Sequence, residues 1–173
     1  LAERSILVYS FGKMFHATGW KTGYFMAPEK ITSEIRKVHQ FSVFAVNTPI
    51  QYALSEFLRN EDEFLNLPKF YQEKRDYFNR LMKTIGFEVN PTSGTYFQVI
   101  NFNTLTDETD DDLALRLVKD YGIAAIPMSS FYHNEENTKT LRFCFAKSNE
   151  VLDAAAEKLQ NFYSAAQKQL GLF

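Results

Sequence analysis

Lys13 follows an apolar, strand-like run, three residues after the hydroxyl of Ser10 and eight before a second cation, Lys21. A lysine amine attacks a carbonyl carbon only when part of it is neutral at working pH, which desolvation or neighbouring positive charge brings about. A strand end delivers Lys13 into the fold, and Lys21 is the cation near it in sequence. Gly12 lets the backbone approach a ligand closely. A hydroxyl, a glycine and a second ammonium group are also the means by which an anion such as a phosphate is held. The chemistry open to the cluster is covalent capture of a carbonyl beside an anion. The plain alternative is a surface turn carrying a solvated lysine, as most lysines are. Downstream, Arg142 stands in the period-two run LRFCF. Its guanidinium is a planar fork of donors matching a carboxylate through two bonds, which lysine cannot copy. An exposed edge arginine is the alternative there.

These residues need elements to position them. Residues 5–10 read as a short buried strand and Gly23 to Ala27 as another, ended by Pro28. Ile31 to His39 is helix-like, and Thr48-Pro49 opens a helix through IQYALSEFL, since proline at a first position loses little. From Pro68 a long helix places Tyr71, Phe78, Met82 and Ile85 at helical spacing, and Gly86 stops it. FEVNPTSGTYFQVINF predicts two strands around a Pro/Gly turn. Thr109 before three aspartates predicts a capped helix start, with carboxylates against the positive dipole end. IAAIP and TLRFCFAK predict strands, and Leu152, Ala155, Leu159 and Phe162 a closing helix. The order β-β-α-β-β-α after residue 86 is an α+β unit with helices on one face of a sheet. The expected division is residues 1–67, a connecting helix 68–86, and a small domain 87–173.

The 173 residues suffice for one domain, or one modest and one small; a chain of this length buries roughly 70% of its unfolded surface. With 19 Lys plus Arg against 21 Asp plus Glu, no net field recruits nucleic acid or an acidic membrane. No apolar run reaches the length of a bilayer span, and a cytoplasmic protein is expected. Cys144, the only cysteine, excludes a disulfide within the chain and reads as a small buried thiol. His16, His39 and His133 show no metal-ligand spacing, so no metal site is expected.

Ser10-Phe11-Gly12-Lys13 followed by Thr18-Gly19-Trp20-Lys21-x-Gly23-Tyr24 resembles the lysine motif of class I aminotransferases, fold type I enzymes dependent on pyridoxal 5′-phosphate (PLP). The resemblance implies that Lys13 forms the Schiff base with PLP while Ser10 and Lys21 hold its phosphate. The basic residue is more often arginine in the family. Lys21 and FHATGWK therefore point to the branch resembling kynurenine/glutamine transaminases and methionine aminotransferases. Thr140-Leu141-Arg142-Phe143-Cys144-Phe145 resembles the small-domain strand whose arginine grips the substrate α-carboxylate, which makes Arg142 the substrate-binding residue. Asn90-Pro91-x-x-Gly94-x-Tyr96-Phe97 and Ile126-Pro127-Met128-Ser129-Ser130-Phe131 resemble further small-domain segments. Met128 stands where glycine is usual, and Met14 where threonine commonly follows the lysine. Phe44-Ala45-Val46-Asn47-Thr48-Pro49 resembles a loop that approaches the partner subunit's cofactor, although a plain helix start explains it equally.

The resemblance runs over the whole chain but corresponds to the C-terminal half of such an enzyme. The implied fold is α/β: the C-terminal part of the large PLP-binding domain plus an α+β small domain, in a fragment of a longer or truncated protein. The implied activity is transfer of an amino group between an L-amino acid and a 2-oxo acid, in a homodimer. A PLP-dependent β C–S lyase and a non-catalytic aminotransferase-like module are the alternatives.

Overall fold

The computed structural model describes residues 1–134 and 136–171, in two units, Leu1–Leu67 and Pro68–Phe173. In the first unit, a 3-10 turn (Ala2–Arg4) leads into strand β1 (Leu7–Ser10), the one-turn helix α1 (Phe11–Met14), a second 3-10 turn (Thr18–Trp20) and strand β2 (Gly23–Met26). Helices α2 (Glu29–Ser42), α3 (Thr48–Phe57) and α4 (Asp62–Leu65) follow. β1 and β2 pair antiparallel, with Leu7 opposite Met26 and Ser10 opposite Gly23.

β1 is a strand, as expected, but every residue of it is exposed, so the expected burial is corrected. Two strands alone have no second layer to cover their faces. α2 starts directly after Pro28, earlier than the apolar spacing suggested. Asn47 caps α3 by accepting the Ile50 N–H, and Pro49 sits in its first turn. A small aromatic cluster closes this unit, with Phe15 against Phe57 at 4.8 Å and Phe64 at 5.8 Å between ring centroids.

Helix α5 (Leu67–Ile85) begins at the boundary and leads into the second unit. It ends where Gly86 adopts φ 118°, and a Cβ there would lie 2.7 Å from the Tyr163 hydroxyl oxygen. Strand β3 (Phe97–Asn101), helix α6 (Asp110–Arg116) with a π-helical turn (Leu117–Tyr121), and the short strand β4 (Ile126–Pro127) come next. A 3-10 turn (Ser129–Phe131), strand β5 (Thr140–Cys144) and helix α7 (Asn149–Gln169) complete the unit. Thr109 caps α6 as its position predicted, accepting the Asp112 N–H at 3.1 Å.

The sheet is antiparallel with order β3-β5-β4. Only one of the two strands expected around the Pro/Gly turn forms. The first limb never joins the ladder; the Gln98 side chain donates to the Asn90 carbonyl at 2.9 Å and accepts the Thr92 N–H at 3.2 Å. A side-chain amide thus satisfies backbone groups that a strand partner would otherwise take.

Period-two alternation sends Gln98, Ile100, Leu141 and Phe143 to a buried face. α5 packs Phe78 and Met82 into the core cluster on that face, α6 Leu113, and α7 Leu152, Leu159 and Phe162. In α7 the fully buried alanines are Ala156 and Ala166, while Ala155 of the apolar spacing is half-buried. Cys144 is half-buried, which corrects its reading as a fully buried thiol.

Phe162 is fully buried and meets Phe102 and Tyr121 edge-on. Phe162→Ala is expected to lower the unfolding free energy by about 3–5 kcal/mol in urea titration, and a loss below about 1 kcal/mol would contradict this packing.

Candidate functional site

Three of the four sequence-derived residues lie at one end of the β1–β2 hairpin. Ser10 ends β1 and caps α1, its Oγ accepting the Gly12 N–H at 3.1 Å. That bond uses the oxygen as acceptor and leaves the hydroxyl proton without an acceptor among the described residues. Lys13 is exposed in the single turn of α1. Across the hairpin, the Phe11 N–H donates to the Thr22 carbonyl at 3.2 Å, which carries the pairing to the residue beside Lys21. Lys21 is exposed and left-handed, at φ 52°. A non-glycine residue in that region costs about 1–2 kcal/mol, and such strain collects at ligand-holding sites.

Two glycines make this end possible. A Cβ on Gly23 would lie 2.3 Å from the Tyr9 carbonyl oxygen, so β2 can approach β1 there only without a side chain. Gly12 is buried, and a Cβ on it would meet Ser10 Oγ and Thr18 Cα, both at 3.2 Å. Its smallness therefore serves packing within the chain, where the sequence suggested room for a ligand. Thr18 adds a bond from its hydroxyl to the Gly12 carbonyl at 3.1 Å.

The fourth residue, Arg142, lies in the other unit, on the sheet face opposite the core. Its Cζ sits 4.1 Å from the Phe97 ring centroid and 4.7 Å from that of Phe131. Phe97 is its diagonal neighbour on β3, since Val99 stands directly opposite Arg142. Arg142 makes no ion pair among the described residues, and its Nε is buried without a partner. An open cleft of about 1090 Å3 runs along β3, lined by Arg142, Phe97, Val99, Asn101, Thr104 and Glu88 among others. Nearby, Tyr71 packs 5.9 Å from Tyr96. Burial, then Tyr96 and Cys144, push the Tyr71 hydroxyl above the ordinary tyrosine range. The pairing of Phe97 and Phe131 about the arginine was not foreseen. Both residues stood in quoted motifs, but nothing in their spacing brings positions 97 and 131 together.

The family model described as aminotransferase class I and II matches residues 2–159. The chain belongs to this family. It is 45% identical over 161 residues to the methionine aminotransferase of Escherichia coli, covering 92% of this chain and 42% of that protein. It is 32% identical over 182 residues to human kynurenine–oxoglutarate transaminase 1, covering 92% and 43%. A solved E. coli protein described as having a methionine aminotransferase function superposes with a TM-score of 0.88 at 43% identity, over 93% of this chain and 42% of that one. The N-succinyldiaminopimelate aminotransferase of Mycobacterium tuberculosis superposes at 0.83 with 31% identity, over 93% and 42%. The chain thus spans about two-fifths of the length of the relatives it matches. Its fold is the α/β aminotransferase fold in part, and the family is generally PLP-dependent. No described helix is long and apolar enough to cross a membrane.

Gly23→Ala is expected to cost about 1–3 kcal/mol, as overpacking against a fixed group does, measured by chemical denaturation. Unchanged stability would mean that β1 and β2 do not approach as closely as described.

Proposed function

We propose that this chain is the cofactor-lysine and carboxylate-binding portion of a PLP-dependent aminotransferase acting on an L-amino acid and a 2-oxo acid. In this reading residues 1–67 are part of the large domain, 68–86 the connecting helix and 87–173 the small domain. The observation that carries it is the convergence of Ser10, Lys13 and Lys21 on one hairpin end, with the Ser10 proton free to be donated. That donor set fits a phosphorylated aldehyde: an amine for the carbonyl carbon, and a hydroxyl and an ammonium for the phosphate. When bound, PLP supplies the electron sink that accepts the pair released at the substrate Cα.

The chain's own residues supply the rest. Ser10 Oγ–H and Lys21 Nζ would anchor the phosphate. Lys13 Nζ would hold the aldehyde carbon and, as a free amine, would take the proton from the substrate Cα as base and give it up as acid at the carbon that receives the amino group. Arg142 receives the α-carboxylate, which amino acid and 2-oxo acid share, so one guanidinium serves both halves of the transfer. The methionine and kynurenine activities named for the relatives suggest an amino acid with a long or aromatic side chain. The relatives' family also suggests a homodimer in the cytoplasm as the working form.

In the full-length protein, borohydride treatment after incubation with PLP is expected to fix the cofactor on the peptide containing Lys13; an unlabelled peptide would refute the assignment. Arg142→Ala is expected to raise KM for both substrates, consistent with a loss of about 2–5 kcal/mol for a buried charged pair, as read from steady-state kinetics. An unchanged KM for both would remove Arg142 from substrate binding.

A further inference from the structure

Going beyond the cofactor and carboxylate contacts, we propose that Asp110 is a positioning residue that aims the Arg142 guanidinium, acting through the Ser129–Phe131 turn. Asp110 is 1% exposed, at the start of α6. Its helix does not need it as a cap, because Thr109 already serves there. A buried carboxyl is costly unless it is hydrogen-bonded, so what it bonds to is informative. Its Oδ2 accepts the Ser129 N–H at 2.8 Å, and Oδ2 of the neighbouring Asp111 accepts the Ser129 hydroxyl at 3.2 Å. The Asp110 N–H donates to Asn137 Oδ1 at 3.3 Å, and the same oxygen accepts the Lys139 N–H at 3.0 Å just before β5. The start of α6 is thereby tied both to the turn and to the entry of the strand carrying Arg142.

Phe131 ends that turn. Its side is 55% exposed, so burial does not fix the ring; the turn does. Met128 holds the turn's other side, donating its N–H to the Thr140 carbonyl at 3.1 Å. Met128 has φ −77°, an ordinary right-handed conformation, so the turn does not require glycine there. The Arg142 guanidinium lies over the faces of both Phe131 and Phe97. Stacking on a ring face fixes the guanidinium plane without consuming its in-plane N–H donors. An acidic partner would fix it too, but would occupy the donors a carboxylate ligand needs. The tether stands on this geometry alone; its consequence for substrate rests on the reading of Arg142 given above.

The test uses the full-length protein with 15N-labelled arginine, comparing D110A, D110N and F131L. The Arg142 Nε–H resonance, shifted by the two rings, is expected to move toward the ordinary arginine position in D110A and F131L. It is expected to stay in place in D110N, which keeps an acceptor for the Ser129 N–H. KM for both amino acid and 2-oxo acid should rise by about tenfold in D110A, with kcat within about twofold. If D110A does not fold, D110S carries the same expectation, since its hydroxyl is too short to reach Ser129. An unmoved Arg142 resonance in the folded variant overturns the tether, as does an unchanged resonance in F131L. A moved resonance with unchanged KM in both D110A and Arg142→Ala upholds the tether and instead retires the carboxylate role of Arg142.

Discussion

The register of β5 is the constraint on which the second unit depends. As the central strand of three, it is fixed on both sides, with Arg142 opposite Val99 on β3 and Ile126 on β4. Because side chains alternate along a strand, that register sends Leu141 and Phe143 into the helix-covered core and Arg142 to the opposite face. A slip of one residue would bury the guanidinium and expose two large apolar groups. Core packing and presentation of the arginine are therefore one structural event. The hydrophobic free energy that fixes Leu141 and Phe143, roughly 1.5–3 kcal/mol for each side chain, also fixes Arg142.

The first unit reaches a comparable outcome with little core. Its hairpin end is held by backbone geometry: the pairing of Ser10 with Gly23, the Phe11–Thr22 bond and the cap that Ser10 gives α1. Short-range bonds of this kind place a serine and two lysines at one end while leaving both lysines exposed. The left-handed backbone at Lys21 is the local cost of that turn.

Much of this was legible in the sequence because the signals were local. Helix-like patterning gave α2, α5 and α7, the Thr48-Pro49 start gave α3, the Thr109 cap gave α6, and period-two alternation gave β5. The motif around Lys13 identified the family, which the sequence and fold comparisons then showed. What the sequence did not disclose was non-local or negative. Residues 87–92 have strand-like composition, yet the Gln98 side chain bonds the Asn90 carbonyl and the Thr92 N–H among them, and no periodicity announces that. The apolar run of β1 reads as buried because alternation cannot tell whether a covering layer is present. The ring contacts of Arg142 join positions 97, 131 and 142, which only the sheet and turn bring together.

The bare hairpin has a further implication. Among the described residues no further strand pairs with the outer edge of β1 or β2, and Val8 is 76% exposed on β1. Such an edge is a template for another polypeptide, and proteins ordinarily blunt it with charge, proline or a covering segment. β1, Leu-Val-Tyr-Ser, carries neither charge nor proline. Handled as an isolated polypeptide, this stretch would therefore be open to pairing with foreign strands, making self-association through added sheet its characteristic hazard.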